Sequence, residues 1–104
     1  MPKTTKKSKF PTELCIFGRT VKVEILPVVA VEGSECDGCY DPETKTISLA
    51  EKLDEESRFR VLIHEMTHAS MDISGLSELI PDVKMEEAIC VNMESLAAVL
   101  KLRA

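Results

Sequence analysis

A chain of 104 residues, 44% of them hydrophobic, is enough for one domain with one modest core. It has no apolar run approaching the ~18 residues of a membrane span. The net charge of −5 conceals an uneven distribution: residues 1–12 carry Lys3, Lys6, Lys7 and Lys9 and no acid, leaving nine Lys/Arg against 18 Asp/Glu in the remainder, a net of −9. An acidic body of this kind argues against nucleic acid as its main ligand.

Residues 1–12 therefore read as a basic, disordered tail, and residues 13–104 as a single domain. The lysines of the tail lead into no apolar segment of the secretory type, so the expected location is cytoplasmic, with no membrane attachment. In that setting Cys15, Cys36, Cys39 and Cys90 are expected as reduced thiols. Cys36-Asp37-Gly38-Cys39 lacks the second close pair of a structural zinc site and the βαβ context of a redox motif.

After the short apolar run Leu14–Phe17 and a turn at Gly18-Arg19, the stretch from Thr20 to Val31 is rich in Val and Ile. Val21, Val23 and Ile25 alternate with Lys22 and Glu24, the pattern of a half-buried strand, and Pro27 is expected to interrupt the ladder or hold it at an edge. Residues 32–39, with Gly33 and Gly38, read as a loop. Tyr40 to Leu49 reads as strand, turn, strand, with Asp41-Pro42 opening the turn. The spacing suits a hairpin, so the sheet is expected to be small and largely antiparallel, within an α+β fold.

Asp54 is placed to cap a helix from Glu55 to Asp72 or Ile73, with Glu55 and Glu56 at its positive end and Gly75 as the stop. Its apolar stripe is Phe59, Leu62, Ile63, Met66 and Ala69. After a connection over residues 75–82, which contains Pro81, a second helix is expected from Val83 to Leu102. Its stripe is Met85, Ile89, Met93, Leu96 and Leu100, with Glu94 and Lys101 on the solvent face.

The first helix contains His64-Glu65-Met66-Thr67-His68, an H-E-x-x-H segment. Positions i and i+4 share a helix face, so His64 and His68 can offer two imidazoles to one metal ion, with Glu65 beside them as a base. At 100° per residue the histidines project nearly opposite the apolar stripe, toward a cleft, while Glu65 lies on the flank. A third protein ligand is needed. The chain has no other histidine, so a carboxylate must serve. Glu86 and Glu87 stand 18 and 19 residues after His68. Helix phase favours Glu86, about 60° from the centre of its stripe; Glu87 remains the alternative, and Asp72, one turn beyond His68, is a weaker third.

With these parts in hand, the stretch from Gly38 to Leu100 resembles the small gluzincin-type zinc metallopeptidase domains of bacteria and their phages. The resemblance rests on Gly38-Cys39-Tyr40-Asp41-Pro42 leading to Ile47-Ser48-Leu49, then His64-Glu65-Met66-Thr67-His68-Ala69, then Glu86-Glu87-Ala88-Ile89. The last also resembles the E-A-I sequence around the third ligand of thermolysin-like enzymes, which speaks for Glu87. The resemblance implies a minimal zincin fold: a twisted sheet, an active-site helix and a second ligand helix. It further implies zinc on His64 and His68, Glu65 as general base for a water attacking a peptide bond, and a protein or peptide substrate. The strand around Thr46–Leu49 is then expected to pair with an extended substrate. Tyr40, the only tyrosine, is expected to pack rather than act.

The sequence thus points to a zinc metallopeptidase. Two alternatives stand beside it: a catalytically inactive zincin-like protein-interaction module with a structural or vestigial metal site, and a metal-free helical adaptor.

Overall fold

The computed structural model describes residues 10–80 and 82–100. Most of the expected basic tail (residues 1–9), the end of the second helix beyond Leu100, and Pro81 lie outside the described residues. Phe10 belongs to the core: it is buried, its ring lies 5.0 Å from that of Phe59, and the Arg58 guanidinium sits 5.7 Å above it.

The chain forms β1 (Glu13–Ile16), β2 (Arg19–Leu26), β3 (Val29–Val31), β4 (Ser34–Cys36), β5 (Gly38–Asp41), β6 (Thr46–Ala50), α1 (Glu55–Ser74), a 3-10 turn (Leu76–Leu79) and α2 (Val83–Leu100). The class is α+β, as expected. The four-stranded sheet has the order β1-β2-β6-β5, and it is mixed rather than largely antiparallel. Its outer ladders, β1–β2 and β5–β6, are antiparallel, but the central pair β2–β6 runs parallel, with Val23 opposite Ile47 and Ile25 opposite Leu49. A parallel neighbour requires a long connection. Residues 27–45 provide it by folding a small hairpin and β5 on the way, and this hairpin, not the loop expected over residues 32–39, occupies residues 29–36. Its strands β3 and β4 pair around Glu32-Gly33, with φ of 52° and 83°; two consecutive positive φ values make the turn whose twist suits a tight hairpin. Pro27 marks the break between β2 and β3.

The alternation read in β2 holds at Val21 and Val23, which are buried with Ile47 and Leu49 of β6; Ile25, at the end of the pattern, is exposed. Against this face lies α1. Leu62 and Ala69 are buried, and Phe59, Met66 and Ile73 pack on the sheet. The ends of α1 are built as its sequence implies: the Asp54 carboxylate accepts from the Ser57 N–H at 2.8 Å, and Gly75, at φ 84°, stops the helix with its own N–H on Asp72 O. Gly38 lets β5 approach closely, since a Cβ there would lie 2.6 Å from Val61 Cγ1.

The second helix is rolled away from the expected orientation. Of the stripe read from periodicity, Met85, Met93 and Leu96 are 51%, 45% and 55% exposed, and Ile89 alone among its described side chains is half-buried. The inward face is instead Cys90, wholly buried, with Glu86, Glu94 and Ala97 half-buried around it. Glu94, expected on the solvent side, faces α1. The reason is on α1: the surface left free by the sheet carries imidazoles, and these select carboxylates rather than methionines as partners. No helix among the described residues is long and apolar enough to cross a membrane.

Candidate metal centre

The two histidines stand one turn apart on α1 with ring centroids 5.2 Å apart. Every imidazole nitrogen meets a carboxylate of α2. His64 Nε2 lies 2.8 Å and His68 Nε2 3.0 Å from the two oxygens of Glu87. The opposite nitrogens are held separately, His64 Nδ1 by Glu94 at 2.9 Å and His68 Nδ1 by Glu86 at 2.8 Å. Glu86 is fixed in turn by the Ser77 hydroxyl, which donates to it at 3.1 Å, and Glu94 has Arg60 Nε at 4.0 Å.

This arrangement tests for a cation. A neutral imidazole has one N–H and one lone pair, yet each ring here lies between two acceptors. Placing the N–H groups on Nδ1, toward Glu86 and Glu94, leaves both Nε2 lone pairs directed at the Glu87 carboxylate. A second proton on each ring, or a divalent cation between the Nε2 atoms and Glu87, removes that conflict. In a tetrahedral zinc site with bonds of about 2.1 Å, ligand atoms stand about 3.4 Å apart; the two Nε2–Glu87 distances are within about half an ångström of that spacing. Histidine ligands commonly give their other ring N–H to a carboxylate, which orients the ring and raises its basicity. The residues therefore fit a metal ion.

The sequence-based candidates separate accordingly. His64, His68 and Glu87 converge on one point. Glu86, the preferred third ligand by helix phase, is turned to the far side of the His68 ring. Asp72 is engaged elsewhere: its carboxylate accepts from the Tyr40 hydroxyl at 2.7 Å and from Lys45 Nζ at 3.0 Å, which holds it below the usual aspartate range. Tyr40 packs against the core, and its burial followed by the Asp72 contact raises the phenol well above its ordinary value.

Glu65 is 8% exposed, borders a cleft of about 600 Å³ and makes no hydrogen bond among the described residues. Burial pushes its carboxyl up; the imidazoles of His68 and His64 oppose this, and the net shift is upward. For His64, burial lowers the imidazole, but the Glu94 hydrogen bond and the charges of Glu87 and Glu65 outweigh it and raise it above the ordinary histidine value. The cleft is walled by Gly38, Cys39 and Tyr40 of β5, by His64, Glu65 and His68 of α1, and by Glu86 and Glu87 of α2. All four cysteines are free.

Two residues of this site escaped sequence reasoning. Glu94 bonds His64, and Cys90 places its Sγ with one nitrogen of each histidine inside a group whose atoms lie within 4.8 Å of one another, so that His64, His68 and Cys90 could together bind a metal ion. The signal was present as a polar line, Glu86, Cys90 and Glu94, at i, i+4 and i+8, competing with the apolar stripe on the same helix.

Comparison with protein-family models, with curated proteins and with solved structures gave no match.

Proposed function

We propose that the chain is a zinc-dependent metallopeptidase of the gluzincin type, with His64, His68 and Glu87 as protein ligands and Glu65 as general base. The observation that carries this reading is the convergence of both Nε2 atoms on Glu87 while Glu86 and Glu94 hold the Nδ1 positions. When bound, zinc supplies Lewis acidity that polarises a carbonyl and makes water more acidic. The chain's own residues supply the rest. Glu86 and Glu94 keep the imidazole rings in one tautomer and one orientation. Glu65, buried at the cleft wall, where burial raises its carboxyl above the ordinary glutamate value, takes a proton from the attacking water and returns it to the leaving amine.

The substrate edge differs from the strand expected around Thr46–Leu49. That strand, β6, is paired on both sides by β2 and β5 and has no free edge. β5 is the edge that borders the cleft, and an extended peptide would add to it there.

Metal analysis should find about one zinc per chain, the count a single site of this kind holds. Glu65→Gln should retain the zinc and lower peptide cleavage about 10²–10⁴-fold; undiminished activity refutes the mechanism. The exposed apolar face of α2, from Met85 to Val99, favours a second reading, an interaction module whose metal is structural. A zinc-loaded protein that leaves a panel of unfolded proteins uncut, yet binds a partner equally well as Glu65→Gln, decides for that reading.

A further inference from the structure

The donors that meet the two histidines on α2 are not all alike. Glu86 and Glu94 are each committed to a Nδ1 atom, and each has a further partner, Ser77 or Arg60. Two donors remain for the metal, and they differ in exposure. Glu87 is 52% exposed at its side chain, whereas Cys90 is 0% exposed and its thiol makes no hydrogen bond among the described residues. A wholly buried thiol that makes no hydrogen bond and lies within 4.8 Å of one nitrogen of each histidine is placed to serve as a ligand as well as a core side chain. With zinc bonds of about 2.3 Å to sulfur and 2.0–2.1 Å to nitrogen, a tetrahedral site needs about 3.6 Å between such atoms. A shift of about 1 Å, shared between the cysteine rotamer and the imidazoles, meets that spacing.

We propose that Cys90 is a metal ligand, forming with His64 and His68 a buried set of three, and that Glu87 is the exchangeable fourth ligand that closes the site at rest. The inference rests on the metal-centre reading above and deepens it. As the cation binds, the Cys90 S–H bond breaks, its proton leaves to solvent, and the sulfur electron pair forms the metal–sulfur bond. A thiolate and two imidazoles select a borderline-soft cation such as zinc over magnesium or calcium. With Glu87 bound beside these three, no position would remain for water until its carboxylate is released. Of the four, only Glu87 stands at the solvent side, so opening the site means releasing its carboxylate.

Cobalt(II) substitution tests both parts without relying on activity. Thiolate ligation gives an intense near-ultraviolet sulfur-to-cobalt charge-transfer band. The band is expected in the parent and in Cys36→Ser/Cys39→Ser, and its loss is expected in Cys90→Ser together with a fall in zinc affinity of more than about 100-fold, beyond the ~10–100-fold range for residues that only support ligands. The parent spectrum decides the matter even if Cys90→Ser folds poorly. Cobalt bound without the band overturns the role of Cys90 and leaves the metal centre standing. Failure to bind cobalt or zinc at all overturns both, and a band that persists in Cys90→Ser overturns the assignment of its sulfur. In Glu87→Ala the band should remain, and added azide should shift the visible cobalt bands at a lower concentration than in the parent. An equal azide response refutes the gating role.

Discussion

Gly38 offers the sharpest test of how the cleft is held open to its present width. Its replacement by alanine adds one methyl at the point where β5 lies against α1. That Cβ would stand 2.6 Å from Val61 Cγ1, 3.2 Å from Leu49 Cδ2 and 3.2 Å from the Ser48 carbonyl oxygen. Carbon atoms in good contact sit about 3.5–4.0 Å apart, so the overlap with Val61 is about 1 Å. Neither neighbour yields readily. Val61 is β-branched on a helix and has one strongly preferred rotamer, and Leu49 is wholly buried in the core. The strand and helix must therefore part. Overpacking of this kind costs about 1–3 kcal/mol, and the severity of the overlap places Gly38→Ala in the upper half of that range. For a domain of this size the melting temperature should fall by about 10–20 °C. Thermal melts followed by circular dichroism measure this directly. Val61→Ala removes the obstructing methyl, so the double variant should recover at least about 1 kcal/mol relative to additivity. A Gly38→Ala protein that melts within about 2 °C of the parent, a shift of under ~0.5 kcal/mol, or strictly additive variants, refutes the close approach as described.

Other outcomes follow from the same geometry. Zinc affinity measured by chelator competition should fall about 10–100-fold in Glu86→Ala and in Glu94→Ala, which lose only a ring-orienting partner. Glu87→Ala should lose more than either; if Glu86→Ala is the most damaged, the third carboxylate ligand is Glu86 after all. Asp72 is held low by the Tyr40 hydrogen bond first and by Lys45 next. Its contribution to stability is therefore complete above the unfolded aspartate value of about 3.9 and is lost as pH falls through the lower folded value. The gap in melting temperature between the parent and Asp72→Asn should narrow as pH falls below about 4, and a gap constant from neutral to acidic pH refutes the pairing.

What the sequence disclosed and what it withheld divide along a physical line. The cap at Asp54, the stop at Gly75, the hairpin of β5 and β6, and the histidines set apart from the apolar stripe are all local properties, decided by residues within a few turns of each other. The parallel pairing of β2 with β6 is not local: it joins Lys22 to Thr46 across a folded insertion, and no periodicity within either strand specifies it. The Glu32-Gly33 hairpin was missed because glutamate is an unusual residue for a positive φ. The roll of α2 was misread for a different reason. That helix carries an apolar stripe and a polar line side by side, and its own sequence cannot rank them. The decision lies with His64 and His68 on another helix, whose demand for carboxylates draws Glu86 and Glu94 inward, brings Glu87 to their solvent side and leaves the methionines outside.

That arrangement also governs how α2 is attached. The helix packs chiefly on α1, and much of that contact is the set of imidazole–carboxylate bonds rather than interlocked hydrocarbon. A metal ion at their centre would act as a clasp between two helices as well as a reagent, because whatever binds only the docked state holds it docked. The cooperative unit formed by the sheet and α1 has its own hydrocarbon core; α2 adds to its polar seam little beyond Cys90, Ile89 and Ala97. Withdrawing the ion would lower the free energy of local opening for α2 before that of the rest, so occupancy of the site and docking of its second helix form a single equilibrium.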